Sequence, residues 1–369
     1  MKILRIGVID ESMDLHTLQE LTGYSSDRIT INSKINVSNH TNISSVSHGT
    51  LCTALLLEAL HKYQIADNVH VTHFSVTDDS GEKSFALLLE ALRYCVTNSF
   101  NLVSMSIGLL GFGCVRDLNS VLSRMESTIV VAAASNRFAL TYPAALPQVI
   151  GVKRKLKNTG TGSIEWINNP ADGIELVVDL PDTPIIRKLR EQYSYWIGES
   201  NSVLVPQICG EIAKAMVHGT KILSKEAALK CIAKVSRNRL INDYILPYVN
   251  NVDGEELIPV VLVPYDVNTK RTVFDLAVSL QQKFDEEDYH CTILSDIHIR
   301  SDFLHRQYAL DASYQNTCLT FYQRIIPDGL ILILVSSDNP LRPACDLCIE
   351  HGAKLNVSDL YSEIMKYFA

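Results

Sequence analysis

Residues 69–134 contain VHVTHFSV (69–76), SFALLLEALRYCVT (84–97), NLVSMSI (101–107), VRDLNSVLSRM (115–125) and TIVVAAA (128–134), and this stretch decides the fold. The first, third and fifth pieces are short apolar runs of strand length. The second and fourth repeat apolar residues at helical spacing. Strands that alternate with helices are joined by crossovers, so neighbouring strands run parallel. The sequence therefore predicts a parallel sheet with helices on both faces. In open sheets of this kind functional groups collect outside the carboxyl ends of the strands, which directs attention to the residues just beyond each one.

Working outward, residues 4–10 (LRIGVID) form a strand ending in Asp10, and a polar stretch then runs to Ser47. A helix over 50–63 (TLCTALLLEALHKY) is apolar almost all round, as buried helices are, and begins just after His48. Strands are expected at 148–153 and 174–180, with the turn-rich Asn158-Thr-Gly-Thr-Gly162 between them. A helix starts near Ser202, and Ser224 caps another through about Ser236. His218-Gly219-Thr220 reads as a helix end with Gly219 as its terminator. Residues 241–256, which include Asn250-Asn-Val-Asp-Gly254, read as a linker between a first domain, 1–240, and a second, 257–369. There the alternation restarts, with strands at 258–263, 290–295 and 329–335 and helices at 272–284, 308–324 and from about Ser358.

Composition excludes several classes of function. With 47% hydrophobic and 20% charged residues the chain is an ordinary globular one, and no apolar run reaches the roughly 18 residues that cross a bilayer. The N-terminal MKILRIGVID enters a strand at once and leaves no room for a secretion signal, so a cytoplasmic address is expected. Asn36, Asn39 and Asn42 match glycosylation tripeptides but read as polar loop in that setting. The nine cysteines are an odd number, mostly in apolar surroundings where a thiol acts as a small hydrophobe. Cys345-Asp-Leu-Cys348 has no second such pair, and His351 alone does not complete a tetrahedral site, so no metal is expected. The net charge is −8, of which residues 256–369 supply −7. Neither part has the basic face that binding to nucleic acid requires.

Four residues carry candidate chemistry. Asp10 ends the strand Ile6-Gly-Val-Ile-Asp10, and His48 lies in Ser47-His-Gly-Thr50 at a helix start. Asn136 closes Val130-Val-Ala-Ala-Ala-Ser-Asn136 at a strand end, and Ser202 leads Ser202-Val-Leu-Val-Pro206 into a helix. Attack on an amide by serine needs a hydroxyl, a neutral imidazole, a carboxylate to orient it and donors for the oxyanion. Each residue alone also has a plain structural reading, as a turn former or a helix cap. Their order and contexts together point to the chemistry.

That order, with IGVID, SHGT, NLVSMSIG, VVAAASN, YPAALPQVIGV and SVLVP, resembles the subtilisin-like serine proteases from about Lys2 to Ser236. The resemblance implies a three-layer fold around a parallel sheet. It implies that Asp10 orients His48, that His48 is the general base and that Ser202 is the nucleophile. Asn136 and the backbone N–H of Ser202 would form the oxyanion hole, and Ser106, Ile107 and Gly108 match the strand that pairs the substrate backbone. Ser202 rather than Ser200 is assigned because the family places a proline four residues after its nucleophile, here Pro206. The chain departs from the family at Ser200-Asn201, Ser135, Gln207 and Glu11-Ser12, which bears on efficiency and substrate range without removing a catalytic atom.

The second domain is expected to be P-loop-like or flavodoxin-like, serving docking or dimerisation. Residues 261–272 sit where a phosphate loop would lie, yet every glycine is missing, so no nucleotide or other cofactor is expected. Asp296 and Asp338 at strand ends read as turn formers. The expected function is a cytoplasmic serine endopeptidase acting on a specific peptide or precursor protein, such as the leader of a ribosomally made precursor. The competing class is a non-catalytic peptide-binding pseudoprotease.

Overall fold

The computed structural model describes residues 3–24, 29–31, 46–78, 81–110, 113–136, 139–167, 170–193, 200–233, 237–239, 258–297, 301–310, 315–326, 329–338, 345–350 and 356–368. The first part of the chain holds β1 (Leu4–Asp10), α1 (Leu15–Thr22), β2 (Ile29–Ile31), α2 (His48–Lys62), β3 (Val69–Ser75), α3 (Phe85–Thr97), β4 (Leu102–Met105) and α4 (Val115–Leu122). It continues with β5 (Ile129–Ala133), β6 (Val149–Arg154), β7 (Ile164–Ile167), β8 (Leu176–Val178), α5 (Pro184–Gln192), α6 (Val205–Val217), α7 (Lys225–Ala233) and β9 (Arg237–Arg239). These strands form one sheet in the order β2-β3-β1-β4-β5-β6-β8-β7-β9. Every pairing in it is parallel except that of β7 with β8.

Alternation along each strand builds three layers. In β4, Val103 and Met105 pack with Leu88 and Leu92 of α3 and Leu118 of α4, while Leu102 faces the other way. In β5, Val131 and Ala133 join Leu51 and Leu55 of α2 and Ile208 and Ile212 of α6. Burying each large aliphatic side chain contributes about 1.5–3 kcal/mol, so both faces of the sheet act as cores. Polar residues mark the helix starts: Asp14, Ser47, Ser84 and Thr183 each accept from a backbone N–H three residues on. Gly219 ends the turn after α6 at φ +89°, as its sequence context predicts.

A second sheet, ordered β12-β11-β13-β10-β14, is parallel throughout. It comprises β10 (Val260–Tyr265), β11 (Cys291–Ser295), β12 (Gln307–Ala309), β13 (Leu330–Ser336) and β14 (Leu347–Cys348), with helices α8 (Lys270–Glu286), α9 (Gln315–Ile325) and α10 (Val357–Phe368). One face packs on α8 and α10 through Val273, Leu280, Phe284, Leu360 and Ile364. The other face joins the first part of the molecule in a single apolar cluster that runs from α3 and α4 through Leu140 and Tyr142 to Phe303, Tyr308, Phe321 and Tyr322.

Several elements differ from the sequence reading. Residues 307–309 are an edge strand and α9 spans Gln315–Ile325 among the described residues, where a helix over 308–324 was expected. Tyr308 is wholly buried and stacks on Tyr322 with ring centroids 5.0 Å apart, so local helical spacing yields to burial of an aromatic side chain. Helix α1 and strand β2 lie in the stretch read as polar loop, and helix α5 and strands β7, β9 and β14 lie where no regular element was expected. The linker at 241–256, the three Asn tripeptides at 36–44 and His351 fall outside the described residues. No helix among the described residues is long and apolar enough to cross a membrane.

Candidate active site

Strand β1 lies between β3 and β4, and its last residue, Asp10, is fully buried at the carboxyl edge of the sheet. Asp10 Oδ1 accepts from the Glu11 backbone N–H at 2.7 Å and lies 2.7 Å from His48 Nδ1. A carboxylate can only accept, so Nδ1 carries the proton and Nε2 presents a lone pair. Nε2 lies 2.6 Å from Ser202 Oγ. Three residues separated widely in sequence thus form one line of hydrogen bonds ending at a hydroxyl.

The approach of α2 to β1 explains why His48 is followed by glycine. A Cβ on Gly49 would lie 2.3 Å from the Glu11 carbonyl oxygen and 2.8 Å from that of Ser12, so only glycine lets the helix start sit on the turn after Asp10. The same turn is pinned by Ser47 O–H donating to the Ser12 carbonyl at 2.7 Å and by the Asp14 N–H donating to Thr50 Oγ1 at 2.9 Å. Burial of the His48 ring opposes its protonation, yet the Asp10 hydrogen bond and negative charge outweigh that and hold its pKa above the ordinary 6.5.

Ser202 opens a short 3-10 turn that runs into α6, with Pro206 in the first turn of the helix, where a missing N–H costs nothing. Its side chain is almost buried, and its Oγ also lies 2.5 Å from Ser200 Oγ. Since Ser202 donates to His48, the proton between the two serines belongs to Ser200.

Asn136 sits at the surface beyond β5, and its Oδ1 accepts from the Asn201 backbone N–H at 2.8 Å. Its side-chain oxygen is engaged, and its N–H₂ is the end that can donate. Asn201, which the sequence reading treated only as a departure from the family pattern, ties the two loops together. Its Nδ2 donates to the carbonyls of Ala134 (3.1 Å) and Ser135 (2.9 Å), and its Oδ1 accepts from the Arg154 N–H at 2.8 Å.

The three residues expected to pair substrate divide. Ser106 and Ile107 are buried, and Ser106 O–H donates to the Ser202 carbonyl at 3.3 Å, supporting the nucleophile from beneath. Gly108 is exposed, and the next residue, Leu109, pairs antiparallel with Tyr142.

Two buried residues that carried no signal in the sequence adjoin the line. His73 of β3 is fully buried between Thr53 Oγ1 (3.1 Å) and the Glu11 carbonyl (2.8 Å), and burial lowers its pKa so that it stays neutral. Cys52, one helical turn after His48, places Sγ 3.8 Å from His48 Nδ1, and burial keeps its thiol protonated. Asp10, His48 and Cys52 are the described residues whose donor atoms lie close enough to hold a metal ion. As placed, that set suits proton transfer better than ligation: His48 uses both ring nitrogens toward Asp10 and Ser202, and the sulfur is a thiol.

No family model matches the chain, and no curated protein matches it. Among solved structures it is similar to a lanthipeptide protease at 14% identity and a TM-score of 0.43, over 68% of this chain and 81% of that one. It is also similar to the prenylagaramide maturation protease PagA, at 16% identity and a TM-score of 0.39 over 59% and 78% of the two chains. A third is Pseudomonas sedolisin, a serine-carboxyl proteinase, at 12% identity and a TM-score of 0.41 over 63% and 79%.

Proposed function

We propose that the chain is a serine endopeptidase whose nucleophile is Ser202. The observation that carries this reading is the continuous line from Asp10 through His48 to Ser202 Oγ, with contacts of 2.7 and 2.6 Å. Ser202 Oγ gives its proton to His48 Nε2 as it attacks the scissile carbonyl carbon, and Asp10 stabilises the imidazolium that forms. The oxyanion takes hydrogen bonds from Asn136 Nδ2 and the Ser202 backbone N–H. His48 then protonates the departing amine, and water attacks the acyl-enzyme with His48 again as base.

The substrate we propose is a peptide or precursor protein with a basic stretch, its leader segment being the piece removed. The −7 charge of residues 256–369 supports this, since a field of one sign raises the rate at which an oppositely charged chain arrives. The test is hydrolysis of a synthetic precursor with a basic leader beside a short neutral peptide spanning the same bond, followed by mass spectrometry across a salt series. Cleavage of both, with the precursor's kcat/KM falling as salt approaches about 0.5 M, is the expected result, because exposed charges are screened within roughly 10 Å already at 0.1 M. A chain that binds the precursor and cuts neither is a binding module instead.

A further inference from the structure

The peptidase reading leaves the second sheet only an electrostatic part, yet its contacts are of another kind. Its near face meets the segment that follows Asn136. The Leu140 N–H donates to the Ile325 carbonyl at the end of α9 at 2.6 Å, and the buried Tyr142 hydroxyl donates to the Phe303 carbonyl at 3.1 Å. Phe321 and Ile325, 0% and 3% exposed, wall a pocket whose lining also includes Ala134, Ser135, Leu140 and Asn201. Side chains from the second domain therefore stand against both loops that flank the oxyanion donors.

From this held segment, contacts spread to the reacting region. The Ser135 N–H donates to Thr141 Oγ1 at 2.9 Å, fixing the residue before Asn136. Leu109 and Tyr142 exchange backbone hydrogen bonds of 2.8 and 2.9 Å. Gly108 has no room for a Cβ, which would lie 2.3 Å from Thr141 Cγ2. Residues 140–142 thus grip the loop carrying Asn136 on one side and the exposed edge at Gly108 on the other. They are themselves gripped from behind by α9 and the Phe303 turn. A module hung on a linker for docking alone would meet its partner domain through a wet, polar face. Here Tyr142, Tyr308, Phe321 and Tyr322 share one apolar cluster.

We propose that the second domain is a positioning element of the peptidase site: through Phe321 and the carbonyls of Ile325 and Phe303 it holds residues 140–142 where Asn136 meets the oxyanion. This rests on the peptidase reading above. Phe321 and Tyr142 are positioning residues, and a displacement of about 1 Å at a donor of this kind lowers turnover by up to roughly 10²-fold.

The test compares two full-length variants of one domain. Phe321→Ala empties the face toward the site, whereas Phe284→Ala empties the opposite face, where Phe284 is 2% exposed. Both should lower the melting midpoint. Only Phe321→Ala should lower kcat on a short peptide, by at least about tenfold with KM within about twofold, since the interaction lost acts in the transition state. Tyr142→Phe, which deletes one hydroxyl, should lower kcat roughly threefold to tenfold. If Phe321→Ala does not fold, Tyr142→Phe against Phe284→Ala decides. Equal kcat losses on the two faces, or unchanged kcat in both Phe321→Ala and Tyr142→Phe, would overturn the inference. Reaction of the unaltered chain with a fluorophosphonate separates the two readings: labelling at Ser202 with indifferent variants removes this inference alone, and no labelling removes the peptidase reading and this with it.

Discussion

The two sheets end their strands in similar residues and use them differently. At the first, Asp10 hydrogen-bonds an imidazole, and that imidazole faces the nearly buried Ser202 hydroxyl in the turn before α6. At the second, Asp296 accepts from the Tyr265 hydroxyl at 2.5 Å through one oxygen and from the Ser336 N–H at 3.1 Å through the other. Both are carboxylates just beyond or at a parallel strand's end. One binds a group that can carry a proton away, whereas the other closes strand ends against each other. Architecture offers the place, and the partners of the carboxylate decide whether chemistry follows.

The largest expected contrast tests this directly. Asp10→Asn should lower turnover by about 10⁴-fold, because an amide no longer enforces the tautomer with Nε2 unprotonated. Asp296→Asn should leave kcat on a short peptide unchanged while lowering the melting midpoint. Equal losses in the two variants, measured by initial rates, would mean that the strand ends of the second sheet take part in the reaction.

A smaller effect separates donor from scaffold within the first sheet. Asn136→Ala should lower kcat by about 10²- to 10³-fold with KM little changed, the range for one oxyanion donor. Asn201→Ala removes no donor to substrate but deletes the side-chain bonds to the Ala134 and Ser135 carbonyls and to the Arg154 N–H, leaving only its backbone N–H on Asn136 to tie the two loops. We expect about tenfold in kcat from the loss of positioning. An Asn201 effect as large as that of Asn136 would make the Asn201 side chain a direct contact to the oxyanion.

The smallest effects are titrations, and two histidines should act in opposite directions. His48 must be neutral to accept a proton, so kcat/KM should fall on acidification with a midpoint above 6.5, since burial is outweighed by Asp10. Its raised pKa contributes stability that is complete below 6.5 and lost as pH rises through the folded value. His73 has the reverse sign. Burial keeps it neutral, the unfolded chain binds a proton near 6.5 first, and stability is lost as pH falls below that value. His73→Gln can still donate to Glu11 and accept from Thr53, so its melting midpoint should drop less than that of the unaltered chain between about pH 8 and pH 5.5. A parallel drop would assign the acid sensitivity elsewhere.

Much of this was legible in the sequence because periodicity encodes it. The strand and helix spacing over 69–134 gave the parallel sheet, and the residues at strand and helix ends gave Asp10, His48, Asn136 and Ser202. What escaped was set by contacts between distant segments. Asn201 read only as a departure from the family pattern, and only the fold brings its amide to Ala134, Ser135 and Arg154. His73 lay inside an apolar strand, and its partners at Thr53 and Glu11 come from other elements. The shared core with the second sheet depends on Phe321, Tyr322 and Tyr308, whose aromatic character marks burial without saying against what.

The central claim is that Ser202, set on His48 and Asp10, is a working nucleophile. The most direct measurement is reaction of the full-length chain with a fluorophosphonate, with the adduct located by peptide mass spectrometry. The account predicts one adduct on Ser202, lost in Ser202→Ala and retained in Ser200→Ala. An adduct on Ser200, or none on a folded chain, would contradict it.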